Sequence, residues 1–333
     1  MATIGNNYPT LVDVTKRLDP NGKPAIVAEL LSQLNEPLLD IPWIEGNLPT
    51  GHKTTVRTGI PAATWRLLNY GAIPGKSTTA QITDVCGMLE TYSVIDKDLA
   101  DLNGNTAAFR LTEDTAFIEG MNQQFTQALF YASAAANPER ITGLSPRYSS
   151  LSAGNATNII DAGGTGSNNT SIWLVVWGPN TIHGIYPKGS TAGLTHQDVT
   201  TPAPISDGNG GLYQAYQTKY QWKCGLTLRD WRYAVRIANI DTTANAGGLQ
   251  SSTPPNLYRF MVRAMNKIPS MKMGKAAFYV NRAVKTWADI QAMEKPTLAF
   301  QTINDAQGQP FLSFRGIPVR LTDQLLNTEL RVV

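Results

Sequence analysis

Cysteine is nearly absent: the chain has two, Cys86 and Cys224, among 333 residues, which cannot build a disulfide framework and so excludes the small secreted scaffolds. Histidine is equally sparse, at three. No apolar run approaches the roughly 20 residues of a membrane helix, so no membrane partner is expected. The segment Met1-Ala2-Thr3-Ile4-Gly5-Asn6-Asn7 has neither a basic nor an apolar stretch, and no signal peptide is expected. Charge is scarce as well. Charged residues are 16% of the chain, against about 25% in an average globular domain, and the net charge is only +3. That balance argues against a nucleic-acid binder held by a basic face.

Thr, Asn, Gln, Ser and Gly fill the gap left by charge. Disorder is not the consequence, because disordered chains combine low hydrophobicity with high net charge, whereas 42% of this chain is apolar. A folded surface poor in Lys and Glu resembles an interface. A β-rich protein with long polar loops would show the same composition. At 36.2 kDa the chain exceeds the size at which a single core stops growing, so two lobes or a core with long excursions is expected.

The first expected element is a helix over residues 24–35, with Pro24 in its first turn and Ile26, Val27, Leu30, Leu31 and Leu34 at helical spacing. Pro37 and Pro42 then extend the chain toward Trp43 and Ile44, so residues 1–44 read as an N-terminal arm, with an ordinary first helix as the alternative. Residues 52–58, 81–85 and 88–95 read as strands. Between the first two, Gly59, Pro61, Gly71, Pro74 and Gly75 break up a bulky tip containing Trp65, Leu67, Leu68 and Tyr70. Such a hairpin is marginal alone and needs something to pack against, its own domain or a neighbour.

The strongest helical signal covers residues 112–136, with Thr112 as cap, acidic Glu113 and Asp114 behind it, and Asn137-Pro138 as the stop. Phe117, Ile118, Met121, Phe125, Ala128, Leu129 and Ala132 form its apolar stripe, on a rod of roughly 36 Å. Residues 152–170, 189–211 and 241–255 read as polar loops. Strands are expected at 172–177, 181–186, 213–228 and 233–240, with Trp222 and Trp231 as packing groups. A helix carrying Leu257, Phe260, Met261, Ala264 and Met265 follows, then a strand at 277–280, a helix at 284–293 and strands at 311–314 and 317–321.

Signals for chemistry are weak. Gly71-Ala72-Ile73-Pro74-Gly75-Lys76-Ser77 has three residues between its glycines where a phosphate loop needs four, and a β-like segment follows it. His52, His183 and His196 stand in no metal-binding spacing, and the isolated cysteines suggest no zinc site. No Gly-x-Ser-x-Gly elbow is present. No catalytic, cofactor-binding or metal residue is assigned. A hydrolase built from His183 or His196 with nearby acids, and a β-rich binding module using loops 152–170 and 189–211, are the alternatives to a structural role.

The order of elements resembles the major capsid proteins of tailed bacteriophages with the HK97-type fold, an α+β class. An arm precedes Gly51-His52-Lys53-Thr54-Thr55-Val56-Arg57, similar to that family's extended loop. The long helix resembles its spine helix, left through Ile141-Thr142-Gly143-Leu144. Ala277-Phe278-Tyr279-Val280-Asn281-Arg282 and Gly316-Ile317-Pro318-Val319-Arg320-Leu321-Thr322-Asp323 resemble parts of the axial domain. The nearest likeness is to short-tailed phages of the Bordetella phage type, a subgroup in which core connections can depart from the usual order.

The resemblance implies a division into arm 1–44, extended loop 45–96, peripheral domain 97–155 with the spine helix, and axial domain with remaining peripheral strands 156–333. It implies self-assembly into hexamers and pentamers of an icosahedral head around double-stranded DNA bound without sequence specificity. Its further partners would be a portal protein, a separate scaffolding protein and a cement or decoration protein. Assembly would take place in the host bacterial cytoplasm. A decoration or tail protein and a nanocompartment shell are the neighbouring readings. About 45 residues precede the loop, too few for a fused scaffold. Lys53 and Lys76 lie in the loop, but nothing identifies an Asn partner for a crosslink. The contacts to neighbouring subunits are expected from Trp43, Arg57, Trp65, Arg66, Leu67, Leu68, Tyr70 and Lys76.

Overall fold

The computed structural model describes residues 9, 33, 35–102, 106–206, 210–294, 300–304 and 310–333. The expected helix at 24–35 falls, apart from positions 33 and 35, outside the described residues. In chain order the elements are α1 (Pro37–Asp40), β1 (Trp43–Glu45), β2 (Gly51–Gly59), β3 (Thr78–Asp96), α2 (Lys97–Ala100) and α3 (Thr106–Tyr131). They continue with β4 (Ile159–Asp161), β5 (Asn169–Trp177), β6 (Ile182–Tyr186), β7 (Leu194–Ser206), β8 (Leu212–Leu228) and β9 (Ala234–Asp241). The chain closes with α4 (Leu257–Lys267), β10 (Lys275–Val280), α5 (Arg282–Glu294), β11 (Phe300–Asn304), β12 (Pro310–Phe314) and β13 (Ile317–Leu321). Two compact units are interleaved along the sequence: 35–87, 127–192 and 224–333 form the larger, and 1–34, 88–126 and 193–223 the smaller.

In the larger unit, β5 is the centre because Ile172, Trp173, Leu174, Val175, Val176 and Trp177 leave it no polar face. Every residue of the strand is buried, as expected of a strand covered on both sides. It runs antiparallel to β10 and β9, and β10 continues through a parallel pairing with β13. On the covering helix α4, Leu257, Met261 and Ala264 are the buried stripe. Asn256 caps α4 by accepting from the Arg259 amide at 3.1 Å, and Gln291 of α5 ties down its start by accepting from the Leu257 amide. A buried ion pair joins β9 to the chain after β13: Arg236 donates to Glu329 at 2.8 Å, and Ser171 and Tyr131 donate to the same carboxylate.

In the smaller unit, Ile95, Ala100 and Phe109 form a small apolar cluster with Leu99 and Tyr216 against it. The Arg110 guanidinium lies 5.0 Å from the Tyr216 ring centroid and pairs with Asp198. Phe125 and Trp222 are in ring contact at 4.4 Å.

Several expectations need correction. Residues 81–85 and 88–95 are one uninterrupted strand, β3, and Gly87 does not break it. The long helix is Thr106–Tyr131, not 112–136. Thr112 is no cap; its hydroxyl donates inside the helix to the Ala108 carbonyl. The stop comes before Asn137-Pro138, because the amides of Gly143 and Leu144 return to the carbonyls of Ala132 and Leu129 at 2.8 and 3.0 Å. Only glycine fits there, since a Cβ at Gly143 would lie 2.6 Å from the Ala128 carbonyl oxygen. Ile118 of the expected stripe is exposed.

The loops are also more ordered than their composition implies. Residues 152–170 contain β4 and the start of β5, and 189–211 contain the thirteen-residue β7. Among the described residues β7 pairs only with β8, and such an edge position tolerates Pro202 and Pro204. Trp231 sits partly exposed in a short 3-10 turn and is no core group.

Candidate assembly surface

β2 and the first part of β3 are an antiparallel pair in register from Gly51↔Val85 to Arg57↔Thr79, with an irregularity before Gly59↔Thr78. The Thr58 and Thr78 hydroxyls close the ladder at 3.1 Å. Beyond it, residues 60–77 have no regular structure and every one is exposed. A single turn, Tyr70 amide to Leu67 carbonyl, with Asn69 at φ 68°, marks the tip.

This excursion carries an unusual load of exposed apolar groups: Ile60, Trp65, Leu67, Leu68, Tyr70 and Ile73. Trp65 is 102% and Leu68 86% exposed, so the described residues supply almost no packing for either. Large exposed apolar patches commonly mark interaction sites in soluble proteins. Arg57, Arg66 and Lys76 are exposed on the same excursion, which brings seven of the eight expected contact residues onto one feature. Trp43 is the eighth and lies elsewhere: β1 pairs with β6, and the Trp43 ring covers Gly184, where a Cβ would come within 2.6 Å of it. Half-buried, it is packed in part against its own protomer. Ile60 and Ile73 were not singled out by sequence reasoning, although two more β-branched apolar residues in a Gly/Pro-rich segment were a legible signal.

The root of the hairpin is built in the opposite manner. Asn47 brackets Lys53, donating to its carbonyl at 2.8 Å and accepting from its amide at 2.7 Å. Asp84, 5% exposed, accepts from Arg147 at 2.7 Å, from the Thr227 hydroxyl at 2.5 Å and from the Leu228 amide at 3.3 Å. Arg147 also donates to the carbonyls of Thr142 and Leu226. A buried carboxylate requires such partners, and an acid inside the strand Thr83-Asp84-Val85 was the sequence signal for it.

Beside Asp84, the rings of His52 and His183 meet edge to face, centroids 5.9 Å apart. Burial, then His52 and Arg229, hold the His183 imidazole down to about 4; the Gly178 carbonyl and Asp84 oppose this weakly. Burial and Arg229 lower His52 as well. His196 stacks on Tyr220 at 5.4 Å. Among the described residues no cluster of three His, Cys, Asp or Glu side chains could hold a metal ion.

The family model for major capsid protein GP7 matches residues 19–333. A chain in the near-atomic cryo-EM structure of bacteriophage Epsilon15 is 34% identical, with a TM-score of 0.75, and the match covers 100% of this chain and 99% of that one. The bacteriophage JBD30 capsid matches with a TM-score of 0.51 over 89% of this chain and 93% of that one. Its 11% identity makes that a likeness of fold alone. No curated protein matches.

Proposed function

This chain belongs to the major capsid protein GP7 family, and from that premise we propose how it assembles. It is a major capsid protein of the bacteriophage head shell, with the HK97-type α+β fold, and a virion component. Proteins of this family and fold are structural and not enzymes in general. We assign no catalytic role to the chain itself.

The extended loop, residues 45–96, reaches a neighbouring copy and buries its tip there. The observation that carries this is the exposure of Trp65, Leu67, Leu68 and Tyr70 beyond a root that the protomer holds with a buried ion pair. Arg57, Arg66 and Lys76 supply charge-assisted hydrogen bonds at the rim of that contact, where Arg in particular pairs with carboxylates in bidentate geometry. Closed symmetric assembly is the outcome for a surface that fits copies of itself. The copies form hexamers and pentamers around double-stranded DNA held without sequence specificity.

The division into arm 1–44, extended loop, peripheral domain 97–155 and axial domain 156–333 is part of the same proposal. So are the nearer kinship with short-tailed phages of the Bordetella phage type and assembly in the host cytoplasm. The portal, a separate scaffolding protein and a cement or decoration protein are partners supported by the resemblance alone. Electron microscopy of the purified full chain tests the reading. Rings, sheets or shells are expected, and a strictly monomeric protein at high concentration overturns it.

A further inference from the structure

We propose that the His52–His183 pair makes the root of the extended loop a proton-sensitive hinge, closed at neutral pH and opening in mild acid. Strand register brings the pair together. His52 of β2 lies opposite Asp84 of β3, and Thr227 of β8 lies opposite His183 of β6. Thr227 donates to Asp84, which links the two pairs. β2 in turn approaches β6, so the four side chains converge. The histidine pair therefore joins the loop's first strand directly to the central sheet.

The charges around the pair leave no place for a proton. His183 is 1% exposed, and neither ring nitrogen makes a well-formed hydrogen bond among the described residues. Nδ1 of His52 is likewise buried and unpartnered. From β3 the facing group is Asp84, whose carboxylate is already committed to Arg147, Thr227 and the Leu228 amide. From the segment after β8 it is Arg229, a cation, held by the Pro179 carbonyl at 2.9 Å. From the 3-10 turn at Ser145–Tyr148, Arg147 holds the Asp84 carboxylate at 2.7 Å. A protonated imidazole in this setting is desolvated, faces another imidazole, and has the Arg229 guanidinium for a neighbour.

The sign follows. Both histidines bind protons less readily in the closed root than in water, so acid favours the open form. Closure is unaffected above the ordinary histidine value of about 6.5. It weakens as pH falls toward about 4, where the buried His183 itself titrates, and changes no further below that. Within that window each pH unit shifts the open-to-closed ratio by roughly tenfold per titrating histidine. Opening detaches β2 from β6 while leaving the Asp84–Arg147 pair intact. The β2–β3 ladder, which holds the amides of residues 51–59, then frays from its root while the rest of the sheet stays folded.

Amide hydrogen exchange on the full chain tests this, with rates corrected for the intrinsic pH dependence of exchange. Residues 51–59 should lose at least about tenfold in protection between pH 7.5 and 5.0, by the slope just given, while β5 keeps its protection. In the His183→Phe chain the slope of that loss should fall by about half on a logarithmic scale, leaving the share of His52. Constant protection of 51–59 in the natural chain overturns the proposal, as does an unchanged loss in the variant. Should His183→Phe fail to fold, the half-exposed His52→Gln is the second variant, expected to halve the slope on a logarithmic scale. Histidine C2-proton NMR titration of the natural chain is independent of both. A His183 that titrates near 6.5 while residues 51–59 stay protected also overturns the hinge.

Discussion

Arg147 and Asp84, 63 residues apart in sequence, form a 2.7 Å ion pair with side chains only 15% and 4% exposed. The pair fastens the root of a long surface excursion to the body of the protein. Removing one partner strands the other charge in a poorly hydrated site, which typically costs about 3–5 kcal/mol. Asp84→Ala should therefore lower the unfolding free energy by that order in a urea titration. A loss under about 1 kcal/mol would place the pair among exposed ion pairs and remove its anchoring role.

The tip should behave in the opposite way. Trp65→Ala and Leu68→Ala remove side chains that are almost wholly exposed, so stability should stay within about 0.5 kcal/mol of the natural chain. Particle yield by sedimentation should fall in both. Deleting residues 60–77 should give a folded subunit that makes no particles. Normal particles from that deletion would show that the excursion plays no part in assembly.

Glu329 collects Arg236, Ser171 and Tyr131 in one buried site. Glu329→Ala leaves Arg236 unpaired and should destabilise by about 3–5 kcal/mol. Limited proteolysis should then cut faster within residues 322–333, a segment also held by the Val332–Asn239 bonds, the Glu329–Asn169 backbone pair and the Arg282–Asp323 ion pair. Unchanged proteolysis would mean that the remaining bonds secure the segment without Glu329.

Gly143→Ala forces a methyl group against the Ala128 and Leu129 carbonyls at the end of α3. Overpacking of this kind costs about 1–3 kcal/mol. Circular dichroism should show a lower melting temperature with unchanged helix content at 20 °C. An unaltered melting temperature would mean that the Gly143–Leu144 return is not what ends the helix.

Burial raises both thiols, Cys86 to about 11 and Cys224 higher still. The reactive thiolate is then scarce at pH 8. Ellman's reagent should label the natural chain slowly and the urea-unfolded chain at once. Rapid labelling of the native chain would contradict the burial of both.

The elements legible in the sequence were those whose own residues decide their state. The apolar run 172–177 has no conformation open to it but a covered strand, and 317–321 alternates as a half-buried strand should; both appear as expected. β7 was illegible because its Thr, Gln and Pro residues match a loop, and its order comes from the ladder to β8, which is a long-range fact. The start of α3 was misplaced because Thr112 resembles a cap, yet Thr106-Ala107-Ala108-Phe109-Arg110 continues the helix ahead of it. The loop tip was legible as a cluster of large apolar groups among breakers. Trp43 has the same character in sequence; only the small Gly184 beneath its ring distinguishes the two cases.

The separation between a clamped root and a bare tip has an evolutionary consequence. Residues 60–77 can drift, lengthen or exchange their large groups without touching what keeps the protomer folded. Root positions such as Asp84 and Arg147 have no such licence. On the assembly proposed above, mutations in that short stretch are tested by selection on the container rather than on the survival of the fold.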